Sequence, residues 1–253
     1  MVLASAAAIL LAGGLIGATG IGGVLVVPTL TQIEGLALPT AVAASSLAFA
    51  FPGLAALWWL LRERQPANAA AGTPGLAPLL ALVLGALPGA ACGSLLVHAV
   101  DARWLMIALA LLAVGSGVRS LQPARVQATA HMAPLGVPAM AALGLGVGVA
   151  SALTGTGGPV ILIPLLMALR QPLPVTLAAA QAIQLPVALC ASAVHMASGA
   201  TPLALACSVG LVLLAGSLLG QRLARGANLR VLQILVSLML IATGLWFAWR
   251  AGQ

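Results

Sequence analysis

Apolar residues fill this chain in long uninterrupted runs, and polar residues fall between the runs. Long runs without strict alternation predict helices rather than half-buried strands. They lie at 2–18, 38–61, 76–98, 102–119, 134–154, 174–198, 201–223 and 229–249, with shorter pieces at 24–33 and 159–169. About 20 residues of helix cross a ~30 Å hydrocarbon core, whereas ten residues rise only ~15 Å. The two short pieces therefore reach about halfway.

Each short piece follows a break in the helical pattern. Gly155-Thr156-Gly157-Gly158-Pro159 cannot continue a regular helix. Glycine loses the most backbone freedom there, and proline brings no N–H. Proline suits the first residue of a new helix, so a fresh N-terminus is predicted at Pro159. Gly20-Ile21-Gly22-Gly23, running on through Val24 to Pro28, aligns with this stretch after one gap. Both are followed by a Leu-Pro pair, Leu38-Pro39 and Leu173-Pro174, and by a long helix with a further proline, Pro52 or Pro186. Gly89-x-x-x-Gly93 in the first half answers Gly216-x-x-x-Gly220 in the second.

The chain thus reads as a duplication with an offset of about 135 residues. The first repeat is 1–119, the linker 120–133 and the second repeat 134–253. Within the first, a four-residue spacing puts Gly85, Gly89 and Gly93 on one stripe, where another helix backbone can approach closely.

Composition then fixes the class. Only 5% of the 253 residues are charged, against roughly 25% in a soluble domain, and the mean hydropathy is +1.17. The chain is expected to be an all-α polytopic membrane protein. Its net charge of +7 does not point to nucleic acid. Every basic residue is an arginine in a stretch between apolar runs, where the positive-inside bias puts them. The partners expected are the lipid bilayer and a small anion, with a second copy of the chain as a further option and no nucleic acid. Cys92, Cys190 and Cys207 lie inside apolar runs and suggest packing residues rather than a disulfide or metal framework. No metal or cofactor is expected. The N-terminus lacks a basic n-region and is not read as a removable signal.

The arginines arbitrate the topology. Simple passage through both breaks gives eight spans and places Arg62, Arg64, Arg119, Arg125 and Arg250 opposite the other five. Folding back at both breaks leaves only Arg103 and Arg250 on one side and eight arginines on the other. That asymmetry is what a real topology shows. Each repeat is then a broken-helix hairpin plus three transmembrane helices, and the two repeats are inverted. Both termini lie outside.

Inverted repeats with broken helices near the midplane are a transporter architecture. A helix that starts within the membrane aims unpaired N–H groups and a partial positive charge at whatever lies before it, which suits an anion. The candidate site joins the two breaks, Gly20, Ile21, Gly22 and Gly23 with Gly155, Thr156, Gly157 and Gly158. Thr19, Thr154, Ser45 and Ser46 add hydroxyls, and Gln181 and Gln184 add amides in otherwise apolar helices. His195 is a further candidate, as a proton carrier.

These residues resemble the TauE/SafE family of sulfite exporters over nearly the whole chain. The resemblance rests on the duplicated G-x-G-G breaks with their following prolines and on the Gly216-x-x-x-Gly220 segment. The first break is one residue short and has Val24 where the family tends to have a third glycine, and the second has Pro159 there. The resemblance implies sulfite, sulfonates, thiosulfate and related small anions as substrates, in the inner cell membrane. A secondary transporter working by alternating access is favoured and a passive anion channel is the alternative. An enzyme is disfavoured because no intramembrane carboxylate, metal cluster or nucleophile–base pair is present.

The topology predicts that cysteines introduced at Gln65, Gln127 and Asn228, in a background without the native cysteines, resist an impermeant thiol reagent on intact cells. Labelling at Gln127 but not at Asn228 would restore the eight-span arrangement.

Overall fold

The computed structural model describes residues 2–20, 22–63, 75–97, 99–121, 135–169, 171, 173–199 and 201–224. In the C-terminal stretch it describes 234, 237–238, 241–242, 244–245, 248–249 and 251–252. The regular structure among the described residues is helical, without a strand. Residues 122–133 of the expected 120–133 linker and the bulk of the expected helix 229–249 lie outside them.

Among the described residues ten α-helices are delimited, in order: α1 (Val2–Thr19), α2 (Val26–Gln32), α3 (Leu38–Ala48), α4 (Ala50–Glu63), α5 (Leu76–Leu96), α6 (Ala102–Leu121), α7 (Val137–Thr154), α8 (Pro159–Ala168), α9 (Leu173–Ala197) and α10 (Leu203–Ala224). The run expected as one helix at 38–61 is two, interrupted at Phe49. Pro52 explains the interruption. Its ring has no N–H for the carbonyl of Ala48 four residues back, and it crowds that carbonyl. At the start of α6, Asp101 acts as the cap, its carboxylate accepting the Arg103 N–H at 2.8 Å.

Among the described residues five stretches are long and apolar enough to cross a membrane: Leu38–Trp58, Leu76–Leu96, Val137–Thr154, Val175–Ala197 and Leu203–Leu223. Leu84, Leu95, Leu211 and Leu223 stand exposed on their outer surfaces, as lipid-facing side chains do.

Two helix pairs bring the halves together. In the first, α5 lies along α7: a methyl on Gly85 would overlap the Ala141 carbonyl, and one on Gly89 the Leu145 carbonyl. In the second, α1 lies along α10: a methyl on Gly216 would overlap the Leu10 carbonyl, and one on Gly220 the Gly14 carbonyl. A shift of 131 residues turns each contact into its counterpart, 85 into 216 and 10 into 141. The partners advance together along both pairs, so each pair is parallel. The halves therefore hold each other reciprocally, the first helix of one against a later long helix of the other.

This register corrects the alignment above: Gly85 and Gly89, not Gly89 and Gly93, answer Gly216 and Gly220. The offset is 131 along these helices but 135 at the breaks. The difference has a local cause. Gly20 follows Gly17 by three residues, whereas Gly155 follows Gly148 by seven, so α7 carries one more helical turn between its packing glycine and its break.

Gly89→Ala and Gly220→Ala should each destabilise the protein by about 1–3 kcal/mol, because the added methyl meets backbone that cannot move aside. Gly146→Ala, with open space at its Cβ position, should not. Thermal unfolding midpoints in detergent check this, and an unchanged midpoint for both packing variants would refute the contact.

Candidate functional site at the two helix breaks

At the first break α1 ends in a glycine. Gly20 adopts φ 74° and its N–H donates to the Ile16 carbonyl at 2.8 Å. The chain then doubles back. A Cβ on Gly22 would stand 2.5 Å from the Ala12 oxygen and 2.9 Å from the Ile16 nitrogen, beside the helix just completed. A 3-10 turn, Gly23–Leu25, leads into α2. Thr19 closes α1, but its side chain and the whole of Ile21 lie outside the described residues.

At the second break Gly155, Gly157 and Gly158 all take positive φ, 62°, 81° and 83°. Side chains rarely adopt that region, so three glycines are what this path requires. The Thr156 N–H reaches back to the Ser151 carbonyl at 3.3 Å. Gly158 then starts α8, its carbonyl accepting from Ile161 and Leu162, both at 3.1 Å. Residues 154–160 are all buried.

The structure packs the breaks against each other. A Cβ on Gly23 would overlap the Thr156 carbonyl, and one on Gly155 would stand 3.1 Å from Val27 of α2. Gly20 faces Ile163 of α8. The Ser45 hydroxyl lies between the Val42 carbonyl at 2.9 Å and the Gly155 carbonyl at 3.1 Å, so one proton serves both halves. The Phe49 ring covers both breaks, 2.8 Å from the Cβ position of Gly157 and 2.9 Å from that of Gly23.

Other candidates differ in their surroundings. Thr154 bonds its own helix at Ala150, 2.7 Å, and the Thr156 hydroxyl at 2.9 Å. Ser46 donates to Val42 at 2.8 Å, within its own helix. Gln184 is buried and Gln181 half-buried on α9. Neither makes a hydrogen bond among the described residues, and their neighbour Ile183 is the residue 3.4 Å from the Cβ position of Gly158.

Two residues at the breaks escaped the sequence reading. Phe49 could have been found: it stands 135 residues before Gln184, the position singled out in the other half. Ser151 is a polar residue in an apolar helix, the same signal that picked out Thr154.

Among the described residues no group of His, Cys, Asp and Glu could hold a metal ion. The donors at the breaks are instead backbone N–H groups. No carbonyl or side chain among the described residues receives the N–H of Gly157 or Gly158.

The profile of the sulfite exporter TauE/SafE family matches residues 5–247. The chain belongs to the TauE/SafE sulfite exporter family. That is a family of membrane transporters, and with its apolar helices this TauE/SafE protein is an integral, multi-pass membrane protein. No curated protein and no solved structure matches it.

The Phe49 contact also changes the meaning of substitutions at Gly157. A side chain there meets the phenyl ring, so its loss of function would not by itself locate an anion. Phe49→Ala is more informative. Removing a fully buried ring should cost about 3–5 kcal/mol. A thermal midpoint equal to that of the unaltered protein would show that the ring does not seal the breaks.

Proposed function

We propose that this TauE/SafE protein is a secondary transporter for small sulfur-containing or organic anions of the sulfite, sulfonate and thiosulfate class. The anion is held where the two broken helices meet, and access alternates between the two sides of the inner cell membrane. The observation that carries the reading is the burial of two helix breaks against each other in a chain of this family. Irregular backbone at membrane depth persists only where protein covers it or a cavity solvates it. Neutral N–H and hydroxyl donors hold an anion without the desolvation cost of a buried fixed cation.

The reciprocal contacts between halves and the doubling back at Gly22 support two inverted repeats, each starting with a broken-helix hairpin. In that arrangement the loops at 62–75, 119–133 and 222–230 share the cytoplasmic side. The arginine asymmetry supports the same orientation.

The test is sulfite flux into proteoliposomes with an imposed pH gradient. Saturable uptake, competed by methanesulfonate or thiosulfate, is the expected result. Flux that never saturates and ignores the gradient would mean a passive channel. No flux of any of the three anions would overturn the reading.

A further inference from the structure

The two breaks are not chemically equivalent. Buried hydroxyls in this protein commonly bond back to their own helix. Thr29, Ser46, Ser94, Thr154 and Ser192 all donate to the carbonyl four residues earlier, at 2.5–2.8 Å. Ser151 does not. The residue is 2% exposed and its buried hydroxyl makes no hydrogen bond. It lies 3.9 Å from the Cβ position of Gly158, the residue that starts the ten-residue helix α8. Beside it the N–H groups of Gly157 and Gly158 also lack an acceptor among the described residues. Buried donors left unpaired are costly, and so many in one place call for an acceptor that comes and goes.

The described residues of the first break hold no such hydroxyl. Counting back from the glycine that ends each helix, the position of Ser151 is taken by Ile16.

We propose that the oxyanion head of the substrate binds at the second break, on the Ser151 hydroxyl and the N–H groups of Gly157 and Gly158. This rests on the transport reading above and names the residue that takes the head. A sulfite ion and an alkyl sulfonate present the same SO3 head, with three acceptor oxygens for three donors. Both are held through it, and the substituent makes no difference to Ser151.

The variant to make is Ser151→Ala, with Ser94→Ala as control. In proteoliposomes Ser151→Ala should raise the KM for sulfite and for methanesulfonate by a similar factor of about ten or more, the loss expected for one hydrogen bond to a charged group. Its maximal rate should change little. Without substrate its unfolding midpoint should be equal to or above that of the unaltered protein, since an unpaired buried hydroxyl has been removed. A merely structural serine would lower the midpoint and leave KM alone. Ser94→Ala should not move KM. An unaltered protein that carries sulfite while Ser151→Ala keeps its KM would overturn the site and leave the transport reading standing. An unaltered protein that carries neither anion would overturn both. A KM raised for one anion only would refute recognition through the shared head.

Discussion

A backbone that leaves its helix inside a bilayer exposes N–H and C=O groups that hydrocarbon cannot solvate. That constraint organises this protein. Its chain breaks twice, and each break is covered by the other half. The Ser45 hydroxyl of the first half reaches the Gly155 carbonyl of the second. Gly23 of the first break lies on the Thr156 carbonyl of the second, under the Phe49 ring. The breaks, the chain's least helix-like segments, are thus where its halves meet.

The long helices hold this arrangement from both flanks. Lipid tails are as apolar as leucine, so helices in a membrane associate by close packing rather than by hydrophobic exclusion. Small residues make that possible where α5 meets α7 and where α1 meets α10. Any alternating motion of the kind proposed moves one half over the other at these two stripes. It also strains the shared Ser45 hydroxyl, since one proton cannot follow both the Val42 and Gly155 carbonyls if they separate.

Much of this was legible in the sequence because the signals are local. Glycine and proline stop helices wherever they stand, so Gly20–Gly23 and Gly155–Pro159 announced themselves. The stripe at Gly85, Gly89 and Gly93 announced a close helix contact through its spacing alone. What was not legible depends on tertiary position. No pattern says that Gly85 faces Ala141, or that an extra turn in α7 shifts the repeat register from 135 to 131. The place of Phe49, 135 residues before Gln184, marks it in the sequence, but not that its ring covers both breaks. Ser45 and Ser46 look alike in sequence, yet one hydroxyl joins the halves and the other returns to its own helix. A neighbour 110 residues away made that difference.

The interlock of the halves is tested most directly by a disulfide across their centre. A Cβ on Gly53 would stand 3.2 Å from the Leu185 Cβ, beside Pro52 in α4 and Pro186 inside α9. That spacing is just short of the usual disulfide range of about 3.5–4.5 Å and needs only a small outward shift. The paired variant Gly53→Cys and Leu185→Cys, without the native cysteines and with a protease site in the 120–133 linker, is oxidised in membranes and then cleaved. The account predicts that the two halves stay joined on a non-reducing gel and separate on reduction. Halves that separate without reductant would contradict it.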